Sequence, residues 1–348
     1  MKIIFALVLL IFLSLPARLQ AQKTVFDTNQ ETNKSFVSIP VTVSDREGHY
    51  VPNLKKEDFS VYQDGVKQKI TFFSTYKEPL NITLLLDTSK STRDVIDEIK
   101  DAAKDFIELL NPNDQCQVAT FDSRVKVINP FTSNQKVIKN ALDKVEINNY
   151  GGTLMYSAVN QIVQNSFNNV KGRKVIILLT DGNDFGSAIT KDEFLGSLEE
   201  SDVLIYTIFF NTGKDSTKLL NADGTLKKGG KEKKPKKKKK EKFVSNPAQA
   251  VYIPTEEEIA LLERRDEIEA IDSLKKMSDI TAGRYYLSSI PDLKKVFKNI
   301  TGELAQQYRL GFNSKIAAKG GKVTHDIIVK VERPDVVVRT RGTFRTAR

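Results

Sequence analysis

The apolar residues of the chain follow two different periods. From Phe36 to Phe73, and again from Tyr308 to Thr340, apolar positions alternate with polar ones, which is typical of half-buried strands. Asp64-Gly65 lies between two such runs and indicates a hairpin. Each terminal segment is too short to form a stable sheet alone. We therefore predict that segments 36–78 and 307–348 pack together as one small β-domain, which brings the two ends of the chain together.

Between these segments, continuous apolar runs alternate with amphipathic patterns. The apolar runs predict buried strands at 81–86, 115–121, 174–180 and 203–210, with a short strand at 124–128. The amphipathic patterns predict helices within 91–110, at about 134–146 and 153–167, and over 255–280 and 292–307. Ser91-Thr92-Arg93-Asp94 fits a capping box at the start of the first helix. This alternation predicts an α/β fold over residues 80–306, a doubly wound and mostly parallel sheet with helices on both faces.

The candidate chemistry lies where these strands end. Asp87, Ser89 and Ser91 follow the first run, Asp181 follows the run that ends at Thr180, and Thr153 begins a helix between them. Ligands of open α/β sheets bind beyond the carboxyl ends of the strands. Carboxylate and hydroxyl oxygens suit a small hard cation, and the absence of His and Cys from the set argues against zinc. The two carboxylates are fewer than a calcium cage needs, so the pattern favours Mg²⁺, with Mn²⁺ as the alternative.

These residues, in this order over three loops, resemble the metal-ion-dependent adhesion site (MIDAS) of a von Willebrand factor type A (VWA) domain. All five metal-site positions of that family are matched, by Asp87, Ser89, Ser91, Thr153 and Asp181. The resemblance implies a Rossmann-like VWA fold in which the two serines bind the ion directly. It implies that the two aspartates act partly through water and that Thr153 moves in or out of contact. It also implies a partner protein that presents an Asp or Glu to the ion.

Simpler interpretations exist for some of these residues. Ser91 and Thr153 could serve as helix caps and not as metal ligands. Asp184, in the loop after Asp181, fits a solvated turn residue better than a metal ligand.

A wider resemblance covers roughly residues 36–345. Three segments resemble parts of exported bacterial proteins that contain a VWA-related domain. They are Pro40-Val41-Thr42-Val43, Glu57-Asp58-Phe59 and Tyr308-Arg309-Leu310-Gly311-Phe312. These segments fit strand and turn scaffolding, so no functional residues follow from them. The lysine-rich insert described below and Gly342-Thr343-Phe344 depart from the pattern.

The N-terminal residues predict export. Lys2 precedes an apolar run, Ile3–Leu15, and a small-residue cleavage site is possible at Ala21. This layout predicts a secretory signal peptide at 1–21 and a flexible leader at 22–35. No other apolar stretch approaches the length of a membrane span, so we expect no transmembrane segment in the mature chain. The periplasm, the cell surface and the medium are all open as destinations.

The formal charge of +10 is concentrated in one place. Lys227–Lys242 contains eleven Lys and two Glu, and the rest of the chain after the signal segment is close to neutral. This argues against a specific nucleic-acid-binding fold, in which basic residues line a folded face. The pattern predicts a disordered insert at 211–253 that either contacts anionic surfaces weakly or serves only as a solubilising loop.

Cysteine and histidine narrow the chemistry further. The single Cys116 excludes an intramolecular disulfide and fits a small buried hydrophobe. His49 and His325 both lie in the predicted β-domain, and no Gly-x-Ser-x-Gly or His-Glu-x-x-His motif occurs. Together with the resemblance to the VWA family, this makes the leading hypothesis a metal-dependent adhesion or protein-binding module and not an enzyme. The alternatives are a scaffold or surface-tethering protein that uses the lysine-rich loop, and a metal-dependent hydrolase.

Overall fold

A computed structural model describes residues 34–75, 78–148, 151–182, 184–210, 256–315 and 322–346. The predicted signal peptide, most of the leader and the lysine-rich insert lie outside the described residues. The strands are β1 (Lys34–Asp45), β2 (Phe59–Gln63), β3 (Val66–Gln68), β4 (Ile70–Ser74), β5 (Leu80–Asp87), β6 (Gln115–Phe121), β7 (Val125–Val127), β8 (Arg173–Thr180), β9 (Leu204–Phe210), β10 (Tyr285–Ser288), β11 (Tyr308–Lys315), β12 (Thr324–Val331), β13 (Val336–Thr340) and β14 (Thr343–Arg345). The α-helices are α1 (Ile96–Glu108), α2 (Gln135–Asp143), α3 (Met155–Gln161), α4 (Lys191–Glu199), α5 (Glu256–Ile280) and α6 (Leu293–Leu304).

The central sheet has the strand order β10-β9-β8-β5-β6-β7, and only β7 runs antiparallel to its neighbour. Every residue of β5 is buried, because helices cover both faces of the sheet. Helices α1, α2 and α6 pack on one apolar core, and α3, α4 and α5 pack on the other. Cys116 is buried in the first core. The predicted fold class, a doubly wound and mostly parallel α/β sheet, is confirmed.

The terminal strands form two further antiparallel sheets, with the orders β13-β1-β11-β4 and β14-β12-β2-β3. Strand β1 pairs with β11, where Val41 lies opposite Tyr308, and β12 pairs with β2. The apolar faces of the two sheets share one core. The first and last described strands thus meet in a β-sandwich, and the predicted hairpin is the β2–β3 connection.

Several local predictions were wrong. The residues after β5 form a 3-10 turn, Lys90–Val95, and α1 starts only at Ile96, so the predicted capping box at Ser91 does not exist. Strand β1 begins at Lys34, inside the predicted leader. Strand β10 and helix α4 were not predicted. Among the described residues, no helix is both long and apolar enough to cross a membrane.

A buried glutamate joins the sandwich to the sheet domain. Glu303 on α6 has no exposed side-chain surface. Its Oε1 accepts a hydrogen bond from Tyr206 Oη at 2.6 Å and pairs with Arg339 of β13, while Arg284 Nε lies 3.2 Å from Oε2. Arg339 also donates to the carbonyl of Gly283 at 2.5 Å. Tyr50 Oη of the sandwich donates to Oε2 at 3.4 Å. Two guanidinium groups and two phenols therefore satisfy this carboxylate and fix one domain against the other.

Candidate metal site at the sheet edge

The candidate site lies where the direction of strand connection reverses. Strands β5 and β8 are parallel neighbours, and the chain continues from β5 to β6 on one side and from β8 to β9 on the other. Their following helices, α1 and α4, therefore cover opposite faces and leave a crevice at the carboxyl ends. Asp87 is the last residue of β5, and Asp181 directly follows β8.

The carboxylate of Asp87 is buried and held from two sides. One oxygen accepts a hydrogen bond from the backbone N–H of Ser89 at 2.9 Å, and the other accepts one from Thr180 Oγ1 at 2.7 Å. Burial, and next the negative charge of Asp181, raise the pKa of Asp87 to about 7. Because Thr180, which binds Asp87, directly precedes Asp181, the fold brings two acidic residues to neighbouring strand ends.

Ser89 and Ser91 lie side by side in the turn after β5, with their hydroxyl oxygens 3.0 Å apart. The buried hydroxyl of Thr92 fixes this turn, because it donates to the carbonyls of Asp87 and Ser89 at 3.0 and 2.9 Å. Ser91 is inside the 3-10 turn and does not cap α1. The turn thus presents two hydroxyl groups next to the carboxylate of Asp87.

Thr153 is buried and belongs to the loop that precedes α3. Its backbone forms a two-way bridge with Phe185: Phe185 N donates to the Thr153 carbonyl at 2.8 Å, and Thr153 N donates in return at 3.4 Å. The bridge joins the loop of Thr153 to the loop that follows Asp181. The five predicted ligands therefore come from three loops that converge at one end of the sheet.

Sequence reasoning missed Asp122, which ties these loops together. Its carboxylate accepts hydrogen bonds from Thr88 Oγ1 at 3.2 Å and from Asn148 Nδ2 at 2.7 Å, and its carbonyl accepts one from Leu154 N at 2.8 Å. The signal was present in the sequence, since Asp122 directly follows β6 just as Asp181 follows β8. Thr180 was also missed, because a Thr at the end of a strand fits β-propensity alone.

The loop after Asp181 is fixed by its own contacts. Asp184 is not a solvated turn residue: its Oδ1 accepts hydrogen bonds from the backbone N–H of Tyr156 at 2.9 Å and from Ser187 Oγ at 2.6 Å. It thereby satisfies an N–H in the first turn of α3. Gly182 has a φ of +92°, and a Cβ there would lie 2.9 Å from the Cβ of Ala270. Both the backbone angle and the space therefore require glycine after Asp181.

The donor set fits a hard divalent cation. It consists of two carboxylates and three hydroxyls on converging loops, with no sulfur or imidazole, which is the oxygen chemistry that Mg²⁺ prefers. The described residues contain no group of three or more His, Cys, Asp or Glu that could hold a metal ion. The candidate site is therefore a mixed set of carboxylates and hydroxyls and not a carboxylate-rich site.

Comparison with known proteins agrees with this arrangement at the level of the family. The model of the von Willebrand factor type A domain matches residues 81–234. No curated protein sequence matches the chain.

Several solved structures match part of this chain. Proximal thread matrix protein 1 from the mussel byssus is 18% identical, with 70% of this chain and 51% of that chain covered and a TM-score of 0.47. Another structure of the mussel protein, described as having a zinc-occupied MIDAS motif, has the same TM-score and identity. BatB from Bacteroides thetaiotaomicron is 16% identical, with 65% and 97% covered and a TM-score of 0.42.

The chain spans about half the length of the mussel protein. The family match begins at Asn81 in β5, includes the loops of all five predicted ligands and covers the strands on both sides of the crevice. This chain therefore contains a von Willebrand factor type A domain.

Proposed function

We propose that the chain is a metal-dependent protein-binding module of the adhesion type. Its metal ligands would be Asp87, Ser89, Ser91, Thr153 and Asp181, and the bound ion would be Mg²⁺, with Mn²⁺ as the alternative. The observation that carries the proposal is the buried carboxylate of Asp87, which binds the hydroxyl of Thr180 directly before Asp181 and lies beside two hydroxyls that are 3.0 Å apart. Two like charges at a buried site are costly unless a cation offsets them.

The chain's own residues would prepare the site before a partner arrives. Thr180 and the N–H of Ser89 orient the Asp87 carboxylate, and Thr92 holds the turn that carries both serines. A divalent ion held by two carboxylates would supply positive charge for an anionic oxygen. We propose that this oxygen comes from an Asp or Glu side chain of a partner protein.

We further propose that this module is exported and is not an enzyme. The apolar segment at 3–15 supports export to the periplasm, the cell surface or the medium. Both histidines lie in the β-sandwich and pair with aspartates there, His49 with Asp45 and His325 with Asp64, which supports a role without acid–base catalysis at the site. Weak contact of Lys227–Lys242 with anionic surfaces remains the second candidate. Deleting residues 227–242 and measuring cosedimentation with anionic vesicles tests it.

Calorimetric titration of the purified protein with MgCl₂ tests the metal site. Asp87→Ala should abolish the binding heat, because it removes one of the two carboxylates. Asp94→Ala is the matched control, since Asp94 is an exposed aspartate of the same 3-10 turn. It should bind Mg²⁺ as the unaltered protein does. Circular dichroism should show that both variants are folded, and Mg²⁺ binding by folded Asp87→Ala at the unaltered affinity would overturn the proposal.

A further inference from the structure

A cavity of about 220 Å³ adjoins the proposed metal site. It lies between the loop after Asp181, the start of α3 and the exposed side of α5. Gly182, which directly follows Asp181, forms part of its wall, as does Phe185, whose backbone pairs with Thr153. A ligand that reaches the metal site therefore has this cavity next to it, with the same loop as the shared wall.

The cavity combines an aromatic wall with a negative rim. Phe185 is 59% exposed and, with Tyr156, gives the wall its aromatic surface. Asp266 and Glu269 extend from α5 at the rim and are exposed. An exposed Phe beside a polar site is a common feature of surfaces that bind other proteins.

Among the described side chains, the cations near the cavity cancel this charge only in part. Lys191 lines the cavity, but its Nζ pairs with Asp272 at 3.2 Å, and Asp272 also binds Lys276 at 3.0 Å. Arg265 Nε lies 3.9 Å from Asp266, and both side chains are largely exposed. Glu269 has no ion pair with any residue in the described part of the chain. The rim is therefore open to a positive group.

The opposite flank of the site carries the opposite charge. A second hollow, of about 160 Å³, lies beside Asp122 and Asn148, and its exposed charges include Arg124, Lys126 and Lys144 against a single exposed Glu146. The metal site thus lies between a basic flank and an acidic flank. A ligand that carries both signs of charge would be favoured in one orientation.

We propose that the cavity beside α5 binds a Lys or Arg side chain of the same partner whose Asp or Glu occupies the metal site. The aliphatic part of that side chain would pack on Phe185 and Tyr156, and its cationic head would face Asp266 and Glu269. This inference rests on the proposed function and specifies its partner: a segment with an acidic residue and a basic residue close together, in a fixed direction.

Selection from a displayed library of random peptides tests this inference. The full-length protein is used in MgCl₂, and peptides that also bind Asp87→Ala are removed. We expect the remaining peptides to be enriched in an acidic residue with a Lys or Arg at a constant spacing from it. Enrichment of acidic residues without an associated basic residue would overturn the inference and leave the proposed function intact. No enrichment over Asp87→Ala would overturn both.

The best selected peptide then tests the two carboxylates directly by fluorescence anisotropy. The double variant Asp266→Asn/Glu269→Gln should bind it about threefold to tenfold more weakly, since each exposed ion pair contributes a small factor. The double variant Glu47→Gln/Glu98→Gln removes the same charge at two exposed positions away from the cavity and should bind as the unaltered protein does. Equal binding by both double variants would overturn the inference, whereas Asp87→Ala reports separately on the metal site.

Discussion

Thr180 links the stability of the sheet to the proposed metal site, and Thr180→Val tests that link. The hydroxyl of Thr180 is buried, donates to Asp87 at 2.7 Å and accepts from the backbone N–H of Gly182 at 2.9 Å. Valine has nearly the same shape, so the change removes two hydrogen bonds without opening a cavity. Losing these bonds and leaving buried partners unsatisfied should lower the free energy of unfolding by about 2–5 kcal/mol.

The same change should weaken metal binding. Residues that orient a metal ligand typically contribute about 10- to 100-fold in affinity. We therefore expect Thr180→Val to weaken Mg²⁺ binding by that factor in calorimetry, at a temperature at which the variant is fully folded. Thr180→Ser keeps the hydroxyl and should restore most of the affinity.

Thr83→Val is the matched control. Thr83 is also fully buried, in β5, but its hydroxyl donates to Gln117 at 3.2 Å inside the sheet and away from the ligands. It should lower the free energy of unfolding by about 1–2 kcal/mol and leave Mg²⁺ affinity unchanged. Folded Thr180→Val with the affinity of the unaltered protein would refute the assignment of Thr180 as the residue that positions Asp87.

Two further predictions concern the packing around β9. Gly283→Ala should lower the free energy of unfolding by more than about 3 kcal/mol in urea titrations, because the new Cβ would lie 1.9 Å from the carbonyl oxygen of Ile205. Gly302→Ala is the control, since nothing lies within 4 Å of a Cβ placed there. Equal urea midpoints for the two variants would contradict the prediction. Tyr206→Phe should cost about 1.5–3 kcal/mol, because it removes a buried hydrogen bond to the carboxylate of Glu303. Tyr286→Phe is the control for Tyr206→Phe and should change the urea midpoint little. The phenol that it removes makes no hydrogen bond with the described residues.

The sheet and the location of the site were predictable because both depend on local patterns. Continuous apolar runs identify strands that are covered on both faces, and parallel strands place their carboxyl ends at one edge of the sheet. Asp87 and Asp181 had to lie at that edge once β5 and β8 were identified as strands. The role of each as a metal ligand stays a prediction that the titrations above will test.

The missed elements depend on tertiary contacts. Strand β10 has only four residues and is half-exposed, and its pairing with β9 identifies it where its composition does not. The capping box at Ser91 did not form because the hydroxyl of Thr92 bonds to the preceding turn. Helix α4 had a local signal that was overlooked, since Thr190 and Glu193 form a true capping box at its start. Predicting the role of Asp122 required knowledge of which loops meet in the fold.

The pairing of the terminal strands has a consequence for the order of folding. Val51 accepts a hydrogen bond from Tyr308, 257 positions away along the chain, and β1 needs β11 as its neighbour. During synthesis β1 must wait for its partner until β11 has left the ribosome, whereas β2 can already pair with β3. Closing so long a loop in an unfolded chain is slow. A folded VWA domain already brings Leu80 and Leu304 near each other, because Arg173 lies opposite Leu80 in the sheet and donates a hydrogen bond to the carbonyl of Leu304. We therefore expect the inner domain to fold first and to act as the template on which the sandwich closes.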